Sequence, residues 1–121
     1  MATIINTGGG YSSPTLLASL TNVPTSSTAI SGTNNWKNYD AIYFECFMHF
    51  KNTSDKSVFT NLILTNTVSI GDRYQPIRVG STNGEANEVG IHCYFSENAL
   101  NINKITYTYD VTKLNIYGVN F

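Results

Sequence analysis

The chain has 121 residues, 12% of them charged and 41% hydrophobic, with a formal net charge of -1. That length suits one domain, large enough to bury roughly two-thirds of its unfolded surface without staples. About 25% charge is usual; here Asn, Ser and Thr take its place, and the seven Lys and Arg do not cluster, which argues against nucleic-acid binding because that needs a basic patch.

Residues 1–15, with Gly8-Gly9-Gly10 and Ser12-Ser13-Pro14, read as an extended N-terminal arm that has too little apolar surface to offset its own backbone entropy. The domain then occupies residues 16–121. Leu16, Leu17 and Leu20 start a first strand or a short helical turn. Pro24 marks a loop, residues 28–30 a short strand, and Gly32-Thr33-Asn34-Asn35 a turn.

Residues 38–50 carry the clearest signal. On a period of two, Ile42, Phe44, Cys46, Met48 and Phe50 form one apolar face, and Tyr39, Ala41, Tyr43, Glu45, Phe47 and His49 form a mixed one. A strand with one fully apolar face packs it against a second layer, which predicts a β-sandwich. The mixed face is too aromatic for ordinary solvated surface, and points to another subunit or a ligand. Residues 52–56 turn the chain into a strand over 57–65, so that the two strands form an antiparallel hairpin. Val68–Ile70 and Gln75–Val79 predict weaker strands. Strand 88–96 alternates Val89, Ile91, Cys93 and Phe95 inward with Glu88, His92 and Tyr94 outward. Glu97-Asn98 turns into Leu100-Asn101-Ile102; further strands cover 105–111 and 113–119. No apolar stripe has helical spacing. The expectation is an all-β fold: a single antiparallel sandwich, jelly-roll-like.

No run approaches the ~18 apolar residues of a membrane span, and the N-terminus lacks a basic region followed by a long apolar stretch. A soluble protein made in a cytosol, without membrane insertion, is expected. Cys46 and Cys93 lie on apolar strand faces and read as buried thiols, bridged only if their strands meet.

Two segments carry a resemblance. Asn38-Tyr39-Asp40-Ala41-Ile42-Tyr43-Phe44-Glu45 is similar to the entry into the first long strand of bacteriophage fibre and baseplate domains. Lys113-Leu114-Asn115-Ile116-Tyr117-Gly118-Val119 is similar to their terminal strand, although Leu114 and Asn115 depart from the usual residues there. The hairpin order between these ends also fits, so the pattern covers residues 16–121. The resemblance implies a virion protein that is non-enzymatic and homotrimeric: a fibre-head or receptor-binding domain contacting the host surface. It also implies an N-terminal arm that docks on other virion proteins. The alternative it implies is a head-fibre or capsid-decoration protein anchored to the shell by that arm.

No nucleophile elbow, zincin or P-loop motif occurs, and no catalytic residue, metal or cofactor is expected. His49, His92 and a Glu would meet at a metal only if their strands were neighbours, and positions i and i+4 on one strand stand about 13 Å apart. Exposed rings beside amides and carboxylates suit sugars, whose C–H faces stack while their hydroxyls hydrogen-bond. Trp36 with Asn35, Tyr74, and Tyr107 with Tyr109 are therefore candidate contacts to a host cell-surface glycan; the competing role for Trp36 is to cap the sandwich. Tyr43, Phe47, His49, Tyr94 and Tyr117, on otherwise polar registers, are candidates for the trimer interface.

Overall fold

The computed structural model describes residues 13–50, 56–68, 70, 77–78, 89–106 and 109–121. The strands are β1 (Thr15–Leu20), β2 (Thr28–Ala29), β3 (Ala41–Phe50), β4 (Ser57–Leu64), β5 (Ile77–Arg78), β6 (Val89–Phe95), β7 (Leu100–Thr106) and β8 (Tyr109–Val119). They form two four-stranded antiparallel sheets ordered β1-β8-β3-β4 and β2-β7-β6-β5. The expected all-β sandwich is thus what the chain builds. First and last strands pair, then second and seventh, the nested order of a jelly roll. The inner four strands pair as plain neighbours, β3 with β4 and β5 with β6.

The even-numbered residues of β3, Ile42, Phe44, Cys46 and Met48, are buried against Leu114 and Ile116 of β8. They share one core with Ile91, Cys93 and Phe95 of β6 and Leu100 and Ile102 of β7. Each large aliphatic or aromatic side chain buried there contributes about 1.5–3 kcal/mol, so the alternation seen in the sequence is the main source of the fold.

Two bulges adjust the phase. Phe47 faces Lys113 and Met48 faces Val111, which leaves Thr112 as an extra residue on β8; its hydroxyl donates to the Phe47 carbonyl at 3.2 Å. The insertion turns Val111 inward along with Leu114 and Ile116, because one extra residue swaps the faces of a strand. Separate strands over 105–111 and 113–119 are therefore corrected to one strand from Tyr109 onward. The second bulge, at Leu17 in β1, brings both Leu17 and Ala18 onto the core, and the segment is a strand rather than a helical turn.

The ends of the sandwich are tied by side chains. A 3₁₀ turn, Trp36–Asn38, places the Trp36 ring edge-on to Phe95, centroids 4.9 Å apart, and its Nε1 donates to the Ser96 carbonyl at 2.8 Å. Lys37 pairs with Glu97 beside it. Thr33 is buried because its hydroxyl donates to the Ile30 carbonyl (2.6 Å) and accepts from the Leu100 amide (2.9 Å). Gly32 before it has φ +88°, and a β-carbon there would stand 2.4 Å from the Leu17 carbonyl. Of the expected strand at 68–70, Val68 and Ile70 are not in a strand and residue 69 lies outside the described residues; a 3₁₀ turn, Thr65–Thr67, precedes them, with Val68 packed on the core. Of the expected strand at 75–79, Ile77 and Arg78 pair with β6. Residues 1–12 of the expected arm lie outside the described residues, and Thr15, its last, already pairs with Gly118.

Candidate interaction face and pocket

The two outer faces of the sandwich differ. On β2-β7-β6-β5, the outward positions include His92 and Tyr94 of β6 and Asn101 and Asn103 of β7, all half-buried; the Asn101 amide donates to Ser96 Oγ at 3.1 Å. On β1-β8-β3-β4, many of the outward positions are apolar or aromatic. Leu16, Val58, Leu62 and Leu64 are exposed by 54%, 52%, 44% and 42%, and all belong to this one sheet.

Register lines these residues up. Leu16 stands opposite Tyr117, Tyr117 opposite Tyr43, and Tyr43 opposite Leu62, so one row crosses the whole sheet. Lys113, Phe47 and Val58 form a parallel row nearer the other end of β3. Between them runs a polar row, Ser19, Asn115, Glu45 and Thr60. Ser19 Oγ donates to Asn115 Oδ1 at 2.6 Å, and Asn115 Nδ2 donates to Glu45 Oε1 at 3.0 Å. The Tyr117 hydroxyl donates to the same Oε1 at 3.3 Å. Both bonds to the carboxylate thus converge on one oxygen.

The Tyr117 phenol titrates above its usual range: partial burial opposes the phenolate, then the Glu45 charge and its hydrogen bond do so, then Tyr43. The rings of Tyr43 and Tyr117 lie 6.0 Å apart and tilted by 45°. With Glu45 and Pro14 they bound an open depression of about 270 Å³. A larger groove of about 520 Å³ lies at the far end of the face, where Phe47 and Val58 are flanked by Lys56 and Lys113. His49 also faces this groove, with Nε2 4.0 Å from Asp110 Oδ2.

Most of the expected interface residues share this face: Tyr43, Phe47 and His49 on β3 and Tyr117 on β8. Tyr94 does not. Its parity on β6 puts it on the opposite side of the sandwich, so the five expected interface residues do not share one face. His49 and His92 are separated in the same way, so they do not meet at a metal; among the described residues no group of three or more His, Cys, Asp or Glu is placed to hold an ion.

The expected glycan contacts come out differently. Trp36 is only 2% exposed and occupies the end of the core, so it caps the sandwich and offers no ring to solvent. Asn35 beside it is exposed. Tyr74 and Tyr107 lie outside the described residues, and for Tyr109 the backbone alone is described, paired with Phe50.

Cys46 and Cys93 are free and buried, one in each sheet. Burial pushes the Cys46 thiol up to about 12 and raises Cys93 as well, which leaves no thiolate for chemistry near neutrality. Among the described residues no helix is long and apolar enough to cross a membrane.

Sequence reasoning missed the joint roles of Glu45, Asn115, Ser19 and Pro14. Their signal was outward parity on β1, β3 and β8; what it lacked was the pairing that sets these strands side by side. Compared with protein-family models, curated proteins and solved structures, the chain matches none of them significantly.

Proposed function

We propose that this chain is a non-enzymatic virion structural protein, a β-sandwich fibre-head or receptor-binding module that assembles as a homotrimer and contacts the host surface. One observation carries the reading: four of the exposed aliphatic side chains, Leu16, Val58, Leu62 and Leu64, share the outer face of one sheet. Apolar residues gathered on one face in this way mark an interaction surface, and the half-buried Tyr43, Phe47 and Tyr117 beside them are of the type enriched at interfaces.

A closed three-fold ring joins two different patches on each copy. Opposite faces of a sandwich would stack copies into an open array. The trimer therefore uses the β4 half of this face, with Val58, Leu62 and Leu64, against a patch other than the Tyr94 side. Light scattering of the full chain behind gel filtration tests this. A trimer mass at micromolar concentration supports the reading, and a monomer mass overturns it.

A further inference from the structure

We infer that the depression bounded by Pro14, Tyr43, Glu45 and Tyr117 is a monosaccharide subsite, taking one neutral pyranose of a surface glycan. The inference rests on the proposed host-surface role and places that contact at a site the sequence did not indicate.

The chemistry of the lining carries it. A pyranose has an apolar C–H face and an edge of hydroxyls, and it needs a ring to stack on together with acceptors and donors at the rim. Tyr43 and Tyr117 supply two rings, 6.0 Å apart and tilted to each other. Glu45 supplies a carboxylate whose Oε1 already takes the Tyr117 hydroxyl and the Asn115 amide. That arrangement fixes the carboxylate in place and leaves Oε2 outside both bonds, so that it can accept from a sugar hydroxyl. The Tyr117 hydroxyl donates to Glu45 and its oxygen retains lone pairs to accept from a sugar hydroxyl. Asn115 is itself held by Ser19, so the polar side is organised before any ligand arrives, which lowers the ordering cost of binding.

Size and charge set the class. About 270 Å³ lies below the usual range for drug-sized ligands and holds a single sugar ring. The carboxylate repels sialic and uronic acids, so neutral sugars are selected. An open site of this kind binds one ring with a dissociation constant of about millimolar, and useful adhesion follows from several copies acting together.

Position also fits the proposed assembly. Pro14 leads into β1 at one edge of the sheet, whereas Val58, Leu62 and Leu64 line β4 at the other. Tyr43 stands directly opposite Leu62, so a neighbouring copy seated on the β4 half borders the subsite at Tyr43, and a ligand enters from the Pro14 and Tyr117 side.

The test is saturation-transfer difference NMR on the full chain with methyl glycosides of glucose, galactose, mannose, rhamnose and N-acetylglucosamine, and with N-acetylneuraminic acid. The expected result is transfer to at least one neutral glycoside, weakened at least ten-fold in Glu45→Gln and lost in Tyr43→Ala, but retained in Asn103→Ala on the other sheet. Glu45→Gln keeps the side-chain shape, and a thermal melt on each variant separates loss of binding from loss of fold. Transfer to none of the neutral glycosides overturns the inference. So does transfer that survives Glu45→Gln in full, or stronger transfer to N-acetylneuraminic acid than to any neutral sugar. Mass is measured on the same samples: a trimer without sugar binding removes the subsite alone, and a monomer that binds sugar removes the trimer alone.

Discussion

Tyr39 covers Gly118: a β-carbon at that glycine would stand 2.5 Å from Cγ and Cδ1 of the tyrosine ring. The segment entering β3 and the segment ending β8 thus meet in space, and the neighbouring Asp40 strengthens the junction. Its carboxylate Oδ2 accepts from the Phe121 amide at 2.8 Å, and its own amide donates to Asn120 Oδ1 at 3.0 Å. Gly118→Ala forces the ring away and is expected to cost about 1–3 kcal/mol through overpacking. Urea denaturation measures it; an unchanged midpoint would show that Tyr39 moves aside freely.

Trp36 is a structural residue in this account. Trp36→Phe keeps most of the packing on Phe95 but leaves the Ser96 carbonyl without its donor, at about 1–3 kcal/mol. Trp36→Ala costs about 3–5 kcal/mol by opening a cavity. Thermal melts should rank the two in that order below the parent protein.

Leu62 lies in the proposed interface. Leu62→Lys leaves the fold within about 1 kcal/mol, since the position is exposed on an edge strand. The proposed trimer would lose an anchor worth on the order of 1–2 kcal/mol on burial, so self-association is expected to weaken about ten-fold or more per copy. Sedimentation equilibrium of the variant reads this as a shift toward monomer at matched concentration, with an unchanged circular dichroism spectrum.

Tyr117 ionises late. A phenol whose folded value lies above its unfolded one contributes stability that is complete below the unfolded value of about 10 and is lost as pH rises through the folded value. Tyr117 should therefore be among the last tyrosines to show phenolate absorbance on alkaline titration. Glu45→Gln removes the adjacent charge, leaves the burial contribution in place, and is expected to bring the Tyr117 transition down.

Much of this was legible in the sequence. The alternation Ile42, Phe44, Cys46, Met48 and the matching run Ile91, Cys93, Phe95 identified the strands that face each other across the core, because burial of alternate residues leaves a period of two whatever the tertiary partners. The hairpins β3–β4 and β6–β7 followed from turn residues between such runs. Other features depended on partners distant in the chain. Nothing local distinguishes His49 from His92, yet the sheets they join put them on opposite sides of the molecule. The phase change at Thr112 resembled a strand break, since a bulge interrupts alternation as a turn does. Trp36, in a polar loop of Asn and Lys, gave no period at all; its burial is set by Phe95 and Ser96, about sixty positions away. The Ser19, Asn115, Glu45 and Tyr117 network required β1, β8 and β3 to be placed side by side.

The central claim is that sister copies cover the β4 half of the outer face while the opposite sheet stays open to solvent. Maleimide labelling of Leu62→Cys and Asn103→Cys, each in the full chain at trimer-forming concentration, tests it most directly, since both native thiols are buried. The account predicts that the cysteine at position 62 reacts at least ten-fold more slowly than the one at 103, and that the protection disappears on dilution to monomer. Equal, fast labelling at both positions at every concentration would contradict it.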